Sequence, residues 1–94
     1  MSKFIKDLAI KKMKQLSTEE LLHYSKQNGV IITRLQAQQI ISYLQNHSVD
    51  PFDDQGRHKM LIELSRITDR ETAKKSEKLF HELIKAYGLE HLFN

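Results

Sequence analysis

Hydrophobic and polar positions recur along most of this chain with a period near 3.6 residues, and nowhere with the period of two that marks a strand. Residues 3–15 read as a first helix with Phe4, Ile5, Leu8, Ala9 and Met13 broadly on one side and lysines on the other; Ile10 falls off the stripe. Ser17 and Glu20 then have capping-box spacing, with Leu16 and Leu21 placed to clamp the start as a hydrophobic staple. The second helix therefore begins here. Asn28-Gly29 supplies a residue able to take positive φ at its end. Val30-Ile31-Ile32 is too short to be more than an extended connector. Thr33 and Gln36 repeat the capping pattern and open a third helix, with Ala37, Ile40, Ile41 and Leu44 on one face.

Residues 46–52 break the periodicity, and Pro51, the single proline, disfavours helix at Asp50. Phe52 is expected to plug the core from this loop, and Asp53 or Asp50 to cap the next helix. That fourth helix runs to about Thr68 with Met60, Leu61, Leu64 and Ile67 on its apolar face, and Gly56 weakens its first turn. Thr68 with Glu71 predicts a third capping box. The helix it opens reaches about Tyr87, with Ala73, Phe80, Leu83, Ile84 and Tyr87 inward, and Gly88 ends it. Leu89 to Phe93 form a short terminal turn whose apolar side chains could fold back as a lid. One stripe per helix can be buried only by helix-on-helix packing. The expected fold is all-α: a compact bundle of about five helices with a central helix-turn-helix-like pair at residues 17–45. It forms one domain over residues 1–94, made of a basic amphipathic helix (3–15), a helical core (17–88) and a short tail (89–94).

Composition narrows the classes. The 94 residues fit one small domain, and 39% hydrophobic with 29% charged residues is globular rather than disordered composition. Without cysteine there is no disulfide framework and no thiolate zinc site. No run approaches the roughly 20 apolar residues that cross a bilayer, and lysines interrupt any signal-peptide core, so a cytoplasmic location and no stable membrane insertion are expected. The net charge of +3 is uneven: residues 1–16 hold five lysines and one aspartate, and the remainder is slightly acidic. The basic balance thus belongs to one helix, for which a solvated face outweighs attachment to an anionic surface.

Chemistry has little to stand on. The five histidines, His23, His47, His58, His81 and His91, lack chelating spacing, and the Glu77/His81 pair is one acid and one imidazole. Asp50 to Gly56 resembles a calcium loop only until the register is set: Pro51 and Ile62 would fall at the first and twelfth ligand positions. No nucleophile has a base at motif spacing, and no glycine-rich phosphate loop exists. No catalytic residue, cofactor or metal is expected.

The residue types that suit a major groove sit at the start of the third helix: Thr33, Arg34, Gln36, Gln38 and Gln39. With only one arginine there, phosphate contacts would need the N-terminal lysines or Arg66, Arg70, Lys74 and Lys78. The nucleic-acid reading accordingly names Thr33, Arg34, Gln36, Gln39, Arg70, Lys74 and Lys78. Asn28 and Gln38 stand where such motifs want apolar packing, and a solvated face accounts for the same letters. A protein-interaction or structural module, with an unknown protein partner or self-association, is favoured over it. Apolar residues left over from the stripes motivate that choice: Ile10, Tyr24, Tyr43, Leu89, Leu92 and Phe93.

The ordered set TEELLHYSKQNGVIITRLQAQQI, VDPFD, RHKMLIELSRIT and DRETAKKSEKLF resembles a family of small proteins from bacilli and their relatives, domain of unknown function 2624. The similarity spans about residues 1–84. It implies a helical fold and a cytosolic Firmicute protein, and it brings no catalytic or binding residues to transfer.

Overall fold

The computed structural model describes the backbone from Lys3 to Ala86 and the side chains from Lys6 to Leu83. Among the described residues there are five α-helices and no strand: α1 (Lys3–Lys14), α2 (Thr18–Gln27), α3 (Arg34–Asn46), α4 (Asp54–Ile67) and α5 (Arg70–Ala86). The expectations for Tyr87, Gly88 and the Leu89–Phe93 turn lie outside them.

Local chemistry sets the first boundaries. The Ser17 hydroxyl accepts from the Glu20 N–H at 3.1 Å, while the Ser17 N–H donates to the Glu20 carboxylate at 3.1 Å. Thr33 and Gln36 do the same at 3.0 and 2.9 Å. Two orphan donors are satisfied at each start. α2 ends in a Schellman motif: the Val30 N–H donates to the Ser25 carbonyl at 2.8 Å, and Gly29 takes φ 71° just past the Asn28 cap. Before α4, Asp53 accepts from the Gly56 N–H and Asp50 from the Phe52 N–H, so each acid has a separate task.

Gly56 serves a second purpose that its helix propensity hides. A Cβ there would overlap the Asp50 backbone carbonyl, so only glycine lets the loop lie against the first turn of α4.

The start of α5 corrects the sequence reading. Asp69, not Thr68, is its cap: the Thr72 N–H donates to one Asp69 carboxylate oxygen at 2.7 Å, and the Thr72 hydroxyl to the other at 2.9 Å. Thr68 instead turns its hydroxyl back to the Leu64 carbonyl at 2.7 Å and closes the end of α4. α4 and α5 are thereby joined by two residues, and the start of α4 lies beside the end of α5, where Arg57 lines one groove with His81 and Glu82.

The described helices share one apolar core. Met13 and Leu16, Leu21, Ala37 with Ile40 and Leu44, Met60 with Leu64, and Leu79 with Phe80 and Leu83 meet in it. α4 and α5 make the most extensive pair, α2 packs on α3, and α1 lies against α3 and α5. On α1 the stripe is rotated from the expected one: Ala9 and Met13 are buried, Leu8 points out at 41% exposed, and Ile10 packs against the core. Tyr24 and Tyr43, expected as surface extras, also pack against it, as does Phe52. α5 buries Ala73, Phe80 and Leu83 as expected and Ser76 and Leu79 besides, while Ile84 and Tyr87 lie outside the described side chains. Having α1, α2 and α4 around it, this helix needs a wider apolar arc than one stripe. Among the α1 lysines, Lys14 is not simply solvated: its ammonium donates to the His47 carbonyl at the end of α3, at 2.8 Å.

Candidate interaction surface

Of the residues proposed for a recognition helix, Thr33, Arg34 and Gln36 are already engaged. Thr33 and Gln36 spend their side chains on the α3 capping box. The Arg34 guanidinium is paired with Glu19 in the first turn of α2. That hydrogen bond and its charge hold the Glu19 carboxyl below the usual carboxylate range and raise Arg34. A carboxylate bonded to the helix's one arginine opposes phosphate approach there. Gln39 is exposed and lines a shallow depression between α3 and α4 with Ser42, Tyr43, Glu63 and Arg66. Arg66 bonds Glu63 at 2.7 Å and lowers that carboxyl, and burial followed by the Glu63 charge pushes the Tyr43 phenol up.

Arg70, Lys74 and Lys78 are exposed along α5, and Lys74 and Lys78 border a different concavity, between α4 and α5. The seven residues therefore do not converge. α4 packs on both α3 and α5, and Gln39 on α3 and Lys74 with Lys78 on α5 edge separate grooves on it.

The α4–α5 groove is the larger, at about 820 Å³. Its floor is apolar: the outer edges of Met60, Leu64 and Phe80, the half-buried Leu61, and Pro51. Lys74, Lys78 and Glu77 stand on one bank, His81 and Glu82 further along it, and Arg57 opposite. Arg57 is held by Asp54 and donates to the Pro51 carbonyl at 3.3 Å. Lys74 and Lys78 make no ion pair among the described residues, whereas Lys75 pairs with Glu71 at 3.8 Å. An apolar floor between charged banks suits an amphipathic segment better than a duplex backbone. Leu61 was legible as apolar, but its exposure depends on how α4 meets α5.

Of the leftover apolar residues, Ile10, Tyr24 and Tyr43 pack against the core, and Leu89, Leu92 and Phe93 lie outside the described residues. Ile31 is 91% and Leu35 63% exposed, on either side of the Thr33 cap, and Leu8 of α1 is also in the exposed set among the described residues. At 100° per residue Leu35 lies about 200° from Ala37, a signal present in the sequence. No group of three His, Cys, Asp or Glu side chains able to hold a metal is found among the described residues, and no helix there is long and apolar enough to cross a membrane.

A family model described as "Protein of unknown function (DUF2624)" matches residues 1–84. The chain belongs to this family. A further DUF2624-like sequence is the uncharacterized protein YqfT of Bacillus subtilis (strain 168), 32% identical over 75 residues, which are 80% of this chain and 89% of the relative. No solved structure gives a significant match. The expected family is thus the observed one. Both α grooves and the cap residues of α2 to α5 fall within the matched DUF2624 span.

Proposed function

We infer that this DUF2624 protein is a non-enzymatic interaction module that receives an apolar segment of a partner protein in the α4–α5 groove. The observation carrying this reading is the groove between α4 and α5, in which, among the described residues, the half-buried Leu61 lies beside the buried Met60, Leu64 and Phe80 between charged banks. Supporting it, among the described residues every ionisable group whose pKa is displaced is, Tyr43 apart, occupied in a surface ion pair or a helix cap, as with Glu19, Glu63 and Asp69. Such groups act in the structure.

The test is affinity capture from bacillus extract with and without nuclease, using the wild type and Leu61→Asp. A protein partner retained after nuclease and lost at least tenfold with Leu61→Asp is the expected result. Retention that ignores Leu61→Asp overturns the assignment to this groove. Duplex binding is the second reading, favoured by the three exposed cations Arg70, Lys74 and Lys78 on successive turns of α5. It requires capture that vanishes with nuclease, and binding that falls steeply with salt and is lost in Arg34→Ala plus Gln36→Ala.

A further inference from the structure

The connector between α2 and α3 runs back along α2. At one end the Val30 N–H is bonded to the Ser25 carbonyl, and at the other the Arg34 guanidinium reaches Glu19 in the first turn of α2. The extended stretch from Val30 to Arg34 covers about 13 Å, and the helical stretch from Lys26 back to Glu19 about 10 Å. Ile31 and Ile32 therefore lie beside Leu22, midway along the helix. These three border one shallow depression together with the buried Val30, and Lys26 stands at its rim.

The depression is apolar and open. Leu22 and Ile32 are half-buried, and Ile31, at 91%, is the most exposed large apolar side chain among the described residues. Neither the Gly29 turn nor the Thr33 cap uses the Ile31 side chain.

Charge says what covers it. Glu19, Leu22 and Lys26 stand at i, i+3 and i+7 and so share one side of α2. The first turn holds Glu19 and Glu20 against Arg34 and stays acidic, while the last turn holds Lys26, which makes no ion pair among the described residues. An apolar middle between an acidic end and a basic end is complementary to its own image: a two-fold axis through the middle brings each Lys26 to the other copy's Glu19. The same rotation sets the two helix dipoles antiparallel. A surface of one charge sign, lipid or nucleic acid, would repel one of the two ends.

We propose that a second copy of this chain docks here, α2 packing antiparallel on α2 about a two-fold axis beside Leu22. Ile31 of each copy then lies against Leu22 and Ile31 of the other, and each Lys26 pairs across the axis with Glu19. The depression shares no lining residue with the α4–α5 groove, so this pairing and the assignment of that groove stand or fall separately.

Sedimentation equilibrium of the full chain from about 1 μM to about 1 mM tests it. A monomer–dimer equilibrium is expected, weakened at least about tenfold in Ile31→Asp. Because Ile31 is exposed in the monomer, the far-UV circular dichroism of that variant stays that of the wild type. Charge reversal tests the register. Lys26→Glu alone and Glu19→Lys alone each set like charges together at both ends and weaken self-pairing about tenfold. Mixed in equal amounts, the two variants face each other with opposite charges at both ends and form a heterodimer within about threefold of the wild-type affinity. A chain that stays monomeric throughout the range overturns the proposal. So does a dimer indifferent to Ile31→Asp, which places the contact on another face, and so does a mixture that pairs no better than either charge variant alone.

Discussion

Ser25 and Gly56 are small helical residues, and replacement by alanine should move stability in opposite directions. The Ser25 hydroxyl has no hydrogen-bond partner among the described residues, although the residue is only 1% exposed. Removing an unsatisfied buried hydroxyl and raising helix propensity both favour the folded chain. Ser25→Ala is expected to stabilise by about 1 kcal/mol, seen as a higher urea midpoint at unchanged slope. Gly56→Ala gains a similar propensity term, but its methyl would collide with the Asp50 carbonyl. A net loss of roughly 2 kcal/mol in the same titration is expected. From the sequence Gly56 reads as a weak helix start, because the atom that requires it lies six residues back and comes close only when the loop closes.

At the scale of helices, the ends of α2 and the start of α3 were readable because their partners are three to five residues apart. Ser17 with Glu20, Thr33 with Gln36, and Gly29 after Asn28 need no tertiary information. The start of α5 does. Thr68 with Glu71 and Asp69 with Thr72 are overlapping candidates, and the choice falls to Asp69 because the Thr68 hydroxyl is taken by the end of α4. The Thr72 backbone and hydroxyl donors hold the Asp69 carboxyl below its usual range. Glu19 and Glu63 are lowered in the same direction by their arginines. In the unfolded chain these acids bind protons at higher pH, so the stability they contribute is present above roughly pH 4 and lost as pH falls through the folded values. Asp69→Asn retains a good cap without the titration. Its urea midpoint is expected to fall less steeply than that of the wild type between about pH 5 and pH 2, where Glu19 and Glu63 still titrate.

For the whole molecule, the all-α class and most of the core were legible, since Leu21, Ile40, Leu44, Met60 and Leu64 lie on single stripes. Leu79 and Ser76 were not, because α5 touches three other helices and buries an arc wider than one stripe. Leu79→Ala should cost about 2–5 kcal/mol, whereas Leu35→Ala on the exposed side of α3 should stay within about 0.5 kcal/mol. Thermal unfolding of the pair distinguishes a buried from a solvated leucine directly. The candidate site was legible only in part. Its cations stand out as letters, but that Lys74 and Lys78 border a groove while Arg34 pairs with Glu19 follows from how the helices meet.

The bond from Lys14 to the His47 carbonyl ties the last turn of the first helix to the last turn of the third, 33 residues apart. Detachment of the N-terminal helix therefore also removes a donor from the end of α3. An anionic surface that recruited Lys14 would have to strip that carbonyl of its donor. Its presence would then be felt at Tyr43 and His47, on a part of the molecule it never touches.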